Sequence, residues 1–209
     1  MHYLQLIIAN FVLHFKTLEA TINKPMIFLQ YLKQNISVCI GNIAEWYDLS
    51  LYVVFSSTMG LVFFPNLNPA RQTELTMAIF ALGIISRNAG AWFFGRLATR
   101  IAPETIYKII VRLCLFSTLV IAILPTYKQV GVLAPISLLL VRMLQGFSSG
   151  AQYPGALTIL YDSSDHPARS CSLAHITSLF GYCLAGIMFL VLQEVSNTQF
   201  FTDYGWRVA

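Results

Sequence analysis

The apolar, charge-poor runs of this chain are too long for the interior of a water-soluble domain. Between residues 37 and 193 they fall into five segments of about 20 residues or more, the length an α-helix needs to cross the hydrocarbon core of a bilayer. In hydrocarbon each backbone N–H and C=O has to be satisfied inside its own element, so these runs are predicted to be transmembrane helices. With 56% hydrophobic residues, 11% charged residues and a mean hydropathy of +0.66, the fold class is an all-α membrane protein. The formal net charge of +4 comes from Lys and Arg residues spread thinly along the chain, with no basic run. They read as topology signals and give no footprint for nucleic acid.

The predicted spans lie at about residues 37–64, 74–97, 106–125, 132–160 and 170–193. The segments FPNLNPARQ, TRIAPE, PTYKQ and YDSSDHPARS separate them, each carrying the Pro, Asn, Asp or Ser that ends helices. Residues 1–36 form an N-terminal cytoplasmic or interfacial segment. Its apolar stretch, YLQLIIANFVLHF at residues 3–15, is too short to span and has neither a basic flank nor a cleavage site, so an interfacial helix is expected there. The closing FTDYGWRVA reads as the wet entry to a sixth helix.

Lys16, Lys24, Lys33, Arg96, Arg100, Lys108 and Arg169 fall on one side of these spans, and Arg71, Lys128 and Arg207 on the other. The excess of basic residues marks the cytoplasmic side, which puts the N-terminus in the cytoplasm. Cys39, Cys114, Cys171 and Cys183 form no CxxC pair, so neither a disulfide framework nor a metal site is indicated, and no cofactor is expected. HExxH and GxSxG are absent, and no enzyme activity is expected.

Five charges remain inside the spans: Glu45, Asp48, Arg87, Arg112 and Arg142. Each costs roughly 2.5–3.5 kcal/mol at the centre of a membrane helix on insertion scales. Arg112 is only about two turns into its span and can extend its head group to the interface. The others lie deeper. At about 1.5 Å of rise per residue, Asp48 is about 16 Å from the cytoplasmic edge and Arg142 about 15 Å from the opposite edge, both near the midplane. Glu45 and Arg87 sit about 12 Å and 10 Å above the cytoplasmic edge. Acid and base therefore match in depth twice, predicting the pairs Asp48–Arg142 and Glu45–Arg87. Glu45 and Asp48, three residues apart, share a helix face.

In RMLQGFSSGAQYPGA the polar residues Arg142, Gln145, Ser149 and Gln152 recur every three or four residues and make one stripe down one helix face. Gln and Ser in membrane helices also serve simply to bond neighbouring helices. Gly146 and Gly150 form a GxxxG spacing that admits a close neighbour, and Pro154 is expected to kink the helix. His175, alone near a helix start, reads as structural.

Four stretches in order, GNIAEWYDLSLY followed by FFP, RNAGAWFFGRLATR, APISLLLVRMLQGFSSGAQYPGA and YGWRVA, resemble successive signatures of the metabolite:proton symporter family of the major facilitator superfamily. That family includes proline/glycine-betaine, citrate, 2-oxoglutarate and shikimate carriers. The similarity covers about residues 38–209. It implies the N-terminal half of a twelve-helix bundle, with about five transmembrane helices here, in a bacterial-type inner membrane. It further implies proton-coupled symport of a small carboxylate or zwitterion, with Glu45, Asp48, Arg87, Arg142, Gln145 and Gln152 on the substrate and proton pathway. Gly95, Arg96, Thr99 and Arg100 match a cytoplasmic gating loop.

Two departures stand out. Thr99 occupies the loop's acidic position, and Gln152 replaces a carboxylate in the fourth span and cannot titrate. The similarity also stops at the start of the sixth helix. The expected partners are therefore the lipid bilayer, protons, a small-molecule substrate, and a second transporter half or a second copy of the chain. The alternative is a non-transporting remnant or a helper that packs against other carriers. For the orientation, alkaline phosphatase fused after Ala209 is expected to be active; an inactive fusion, with a cytoplasmic reporter active at the same point, would mean that one span has been miscounted.

Overall fold

The structure is a computed structural model describing Lys33 and residues 35–163, 167–195 and 204–208. The expected interfacial helix at 3–15, together with Lys16, Lys24 and the side chain of Arg169, lies outside the described residues. The helices are α1 (Ile36–Val54), α2 (Ser56–Phe63), α3 (Pro69–Leu97), α4 (Pro103–Ile123), α5 (Tyr127–Val130), α6 (Leu133–Ser149), α7 (Gln152–Asp162), α8 (Pro167–Val195) and α9 (Trp206–Val208). Among the described residues there is no strand.

Among the described residues, three helical stretches are long and apolar enough to cross a membrane unbroken: α3, α4 and the Ser170–Val195 part of α8. The first and fourth spans are rods in two pieces. In the first, Phe55 leaves helical geometry at φ −90°, ψ 5°, yet its N–H still donates to Leu51 O at 2.9 Å and Met59 N–H to Phe55 O at 2.8 Å. The rod bends without losing its ladder. In the fourth, the break comes at Gly150–Ala151, with Ala151 at φ −106°, ψ 5°. Pro154 is the cause: it has no N–H for the Gly150 carbonyl four residues back, and its ring crowds that oxygen.

The helix starts are written locally. Pro69 takes the first position of α3, where no N–H is needed, and Asn68 Oδ1 accepts from Arg71 N–H at 2.9 Å. Arg71 therefore sits in the first turn of α3 and not in the preceding loop, paired with Glu74 at 3.0 Å on an exposed surface. Pro103 begins α4 in the same way. Within PTYKQ the structure has the short helix α5, held by a reciprocal Thr126–Gln129 capping box and ended by Gly131 at φ 59°.

α1 packs along α8, α3 along α6, and α4 against α6 and α7. The α3–α6 seam is the closest approach. A methyl group at Gly146 would collide with the Gly83 carbonyl, one at Gly90 with the Phe147 carbonyl, and one at Gly150 with the Arg87 carbonyl. Small residues let the two backbones touch, as helices do where lipid offers no hydrophobic drive for association.

Polarity is arranged inside out. Leu119, Leu133, Ile123, Ile85 and Leu190 are exposed, whereas Asn42, Glu45, Arg142, Gln145, Ser149 and Gln152 are buried. One apolar cluster forms around Tyr52, Phe55, Met59 and Phe63 towards the end of the first rod, and another around Val38, Tyr107, Leu160 and Leu173 near its start. The polar residues of α1 lie between them. Gly90→Ala and Gly150→Ala are each expected to cost about 1–3 kcal/mol through overpacking of the seam, read as loss of folded protein from membranes. Gly95→Ala, with open space around it, should leave the yield unchanged.

Candidate functional site

The first helix supplies both acids. Glu45 and Asp48 project from one face of α1 towards α3 and α6, and each meets an arginine. Arg87 Nη2 on α3 donates to Glu45 Oε1 at 2.6 Å, and Arg142 Nη1 on α6 donates to Asp48 Oδ2 at 3.3 Å. Both pairs expected from depth are present. An unpaired charge among these packed helices would carry a desolvation cost that only a counter-charge with good hydrogen bonds offsets.

The second pair belongs to a wider network. Gln145 Oε1 accepts from Arg142 Nη1 at 2.6 Å, while Gln145 Nε2 donates to Asp48 Oδ2 at 2.7 Å and to Thr118 Oγ1 at 2.9 Å. Thr118 Oγ1 in turn lies 3.4 Å from Asp48 Oδ1. The Arg142 guanidinium stacks over the Tyr52 ring at 4.0 Å, a cation–π contact, and Tyr52 donates its hydroxyl to Thr76 O at 2.9 Å. Four helices, α1, α3, α4 and α6, are thereby tied to one arginine.

The other members of the α6–α7 stripe bond mainly to helices. Gln152 Nε2 donates to Gly41 O at 2.7 Å, and its Oε1 accepts from the Cys114 thiol at 3.1 Å. Ser149 Oγ donates back to Gly146 O at 3.1 Å. A narrow cavity of ≈ 70 Å³, room for several waters, is lined by Glu45, Asp48, Arg87, Arg142, Gln145 and Gln152. All six expected pathway residues thus face one space. A second, larger cavity of ≈ 570 Å³ lies between α1, α3 and α8, walled by Arg87, Trp46, Tyr182 and Phe80.

The loop residues are elsewhere. Arg96 stacks on Trp92 at 4.1 Å, Thr99 Oγ1 donates to Arg96 O at 2.8 Å, and Gly95 and Arg100 are exposed, all outside the paired-charge cavity. Arg112 is exposed, as a side chain reaching for the interface would be. His175 Nδ1 hydrogen-bonds the Tyr153 hydroxyl at 2.7 Å and joins neither cavity. Among the described residues no group of His, Cys, Asp and Glu is placed to hold a metal ion.

Thr118, Tyr52 and Tyr182 join the site beyond the residues expected from the sequence. Tyr52 is marked by its place four residues after Asp48 on the same face of α1, whereas Thr118 and Tyr182 are brought in by packing alone.

These features define the N-terminal half of a major facilitator superfamily bundle. The chain is 36% identical over 179 residues to a putative proline/betaine transporter of Staphylococcus aureus (strain COL), a match covering 84% of this chain and 38% of the relative. It is 33% identical over 170 residues to the alpha-ketoglutarate permease of Escherichia coli (strain K12), covering 80% and 39%, and 34% identical over 172 residues to the proline/betaine transporter of the same strain, covering 81% and 34%. The chain belongs with these carriers in the metabolite:proton symporter family of that superfamily, and spans 34–39% of their length. No family model matches it, and no solved structure matches it.

The ion pairs make a direct test. Asp48→Asn and Arg142→Gln should each lower the folded amount in membranes, as loss of one partner of a buried pair costs about 3–5 kcal/mol. The double variant should recover part of the loss, with a coupling of about 0.5–3 kcal/mol, and the same pattern is expected for Glu45→Gln and Arg87→Gln. Additive losses would mean that each charge is solvated independently.

Proposed function

We propose that this chain forms the N-terminal half of the pathway of a proton-coupled symporter for a small carboxylate or zwitterion in a bacterial inner membrane, with its N-terminus in the cytoplasm. The observation that carries this reading is the pairing of two carboxylates with two arginines, from three helices, around one cavity inside an otherwise apolar bundle. Such pairs are a usable switch: a carboxylate held by Arg stays ionised until a proton or a substrate carboxylate competes for one partner. Glu45 or Asp48 binds the proton, and Arg87 or Arg142 holds the substrate carboxylate. The names of the relatives, proline/betaine transporter and alpha-ketoglutarate permease, support this substrate range.

A single half offers one wall of a central pathway, and alternating access needs two bundles that rock against each other. The second wall comes from a further six-helix half, in the same polypeptide or a separate one, or from a second copy of the chain. The orientation is supported by the position of Lys33, Arg96, Arg100 and Lys108 near one set of helix ends, and of Arg71, Lys128 and Arg207 near the other.

One observation favours the alternative of a non-transporting helper. Gln152 cannot carry a proton, and both the nitrogen and the oxygen of its amide are committed, to Gly41 and Cys114. Reconstitution decides between the two. The purified chain alone in liposomes is expected to show no uptake of labelled proline, glycine betaine or 2-oxoglutarate under an inward proton gradient. Co-reconstitution with a six-helix C-terminal half from one of the matched carriers should restore saturable, gradient-dependent uptake; failure to do so with a stably assembled pair would favour the helper. Uptake by the chain alone would overturn the requirement for a separate half and point to self-association.

A further inference from the structure

The two ion pairs are not equivalent, and the difference assigns their roles; this assignment rests on the pathway reading just given. Both oxygens of Asp48 are in contact with donors: Oδ2 accepts from Gln145 at 2.7 Å and from Arg142 at 3.3 Å, and Oδ1 faces the Thr118 hydroxyl at 3.4 Å. A proton on Asp48 would weaken an acceptor that Gln145 and Arg142 both use, while Arg142 stays clamped between Gln145 and the Tyr52 ring. Glu45 differs. Its side chain is only 2% exposed, its Oε1 is taken by Arg87, and its Oε2 is buried without any partner. A buried carboxylate oxygen whose lone pairs accept no hydrogen bond is costly while charged, and a proton placed on it displaces no existing bond to that atom.

Arg87 is also the more available cation. Its side chain is 21% exposed against 8% for Arg142, and it lines both cavities, whereas Arg142 lines only the narrow one. In the larger cavity it shares the wall with Trp46, Tyr182 and Phe80. A guanidinium set among apolar rings suits a small carboxylate with a compact apolar body.

We propose that Glu45 Oε2 takes up and releases the coupled proton, and that Arg87, freed when it does, receives the substrate carboxylate, while the Asp48–Arg142 pair stays closed as a fixed counter-charge. The exchange balances. A proton from the aqueous side forms the O–H bond on Glu45, the Glu45–Arg87 contact breaks, the guanidinium keeps its charge, and the incoming carboxylate takes the vacated partner. The net charge of the site stays the same, and release runs in reverse. The ionisable groups around Glu45 are Arg87 from α3, Tyr107 and Cys114 from α4, Arg142 from α6, Tyr182 from α8 and Asp48 from its own helix. Arg87 is the only one of them that donates a hydrogen bond to its carboxylate among the described contacts.

Infrared difference spectroscopy on the purified chain in lipid nanodiscs reads this without any transport, so a chain that never completes a carrier still reports it. Acidification across about pH 9 to 5 should produce the carbonyl stretch of a protonated carboxyl in a dry site. That band should shift when the Glu side chains are labelled with ¹³C and stay in place when the Asp side chains are labelled. It should be lost in Glu45→Gln and kept in Asp48→Asn. Acetate, used as the carboxylate probe at fixed pH, should strengthen the Glu band in the wild type and have no effect on it in Arg87→Gln. A band that follows Asp labelling, a band that survives Glu45→Gln, no titrating band at all, or an acetate response independent of Arg87 would each overturn the assignment. The labelling arm uses the wild-type chain, so a variant that fails to fold does not remove the test.

Discussion

The paired charges on α1 govern the rest of the bundle. Two carboxylates one turn apart are costly to carry into a membrane, and cations reaching them from neighbouring helices at the same depths offset that cost. Arg87 and Arg142 do so because their helices touch: the Arg87 carbonyl lies against Gly150, and the Arg142 carbonyl is 3.3 Å from where a side chain at Gly83 would begin. Both guanidiniums therefore start from one glycine-lined seam and extend in the same direction, towards α1. Anything larger at Gly90, Gly146 or Gly150 would push α3 and α6 apart and move the arginines relative to their acids. The seam and the ion pairs form one device.

Around that device the protein separates polar from apolar by layer. The paired charges, Gln145 and Gln152 occupy the middle of the bundle, aromatic and aliphatic clusters close it towards both ends of the first rod, and the outer surface is left to lipid. The two pairs then have different mobility written into their contacts. Arg142 is held by Asp48, Gln145 and Tyr52, and Arg87 by Glu45 alone among the described hydrogen bonds. On the proposed assignment the Asp48–Arg142 pair is the fixed charge and the Glu45–Arg87 pair the exchangeable one.

Much of this could be read from the sequence, for identifiable reasons. Depth along a helix follows from the rise per residue, so the partners of Glu45 and Asp48 could be chosen by counting. The stripe through Arg142, Gln145, Ser149 and Gln152 showed which face of α6 and α7 is buried, and the GxxxG spacing pointed to a close neighbour. What counting misses is contact made across the bundle. Nothing local distinguishes Thr118 from any other threonine in an apolar helix, and Tyr182 joins Trp46, at 5.0 Å between ring centres, only because α8 packs on α1. Phe55 breaks the first rod with neither Pro nor Gly at the site, so no residue type flagged it. Gln152 read as a lost proton site; folded, it fastens the α7 end of the fourth rod to the Gly41 carbonyl of α1.

Whether Glu45 and Asp48 are held by Arg87 and Arg142 inside the membrane is a question of distance, measurable in lipid. Solid-state NMR on the chain in bilayers, with ¹³C on the carboxyl carbon of Glu and ¹⁵N on the Arg guanidinium nitrogens, reports dipolar coupling between them; Glu45→Gln and Arg87→Gln identify the signal. The expected result is a carbon–nitrogen separation below about 4 Å for Glu45–Arg87, as a charge-assisted hydrogen bond requires, and the same with labelled Asp for Asp48–Arg142. Carboxyl carbons that show no close guanidinium nitrogen, in folded protein at neutral pH, would contradict it.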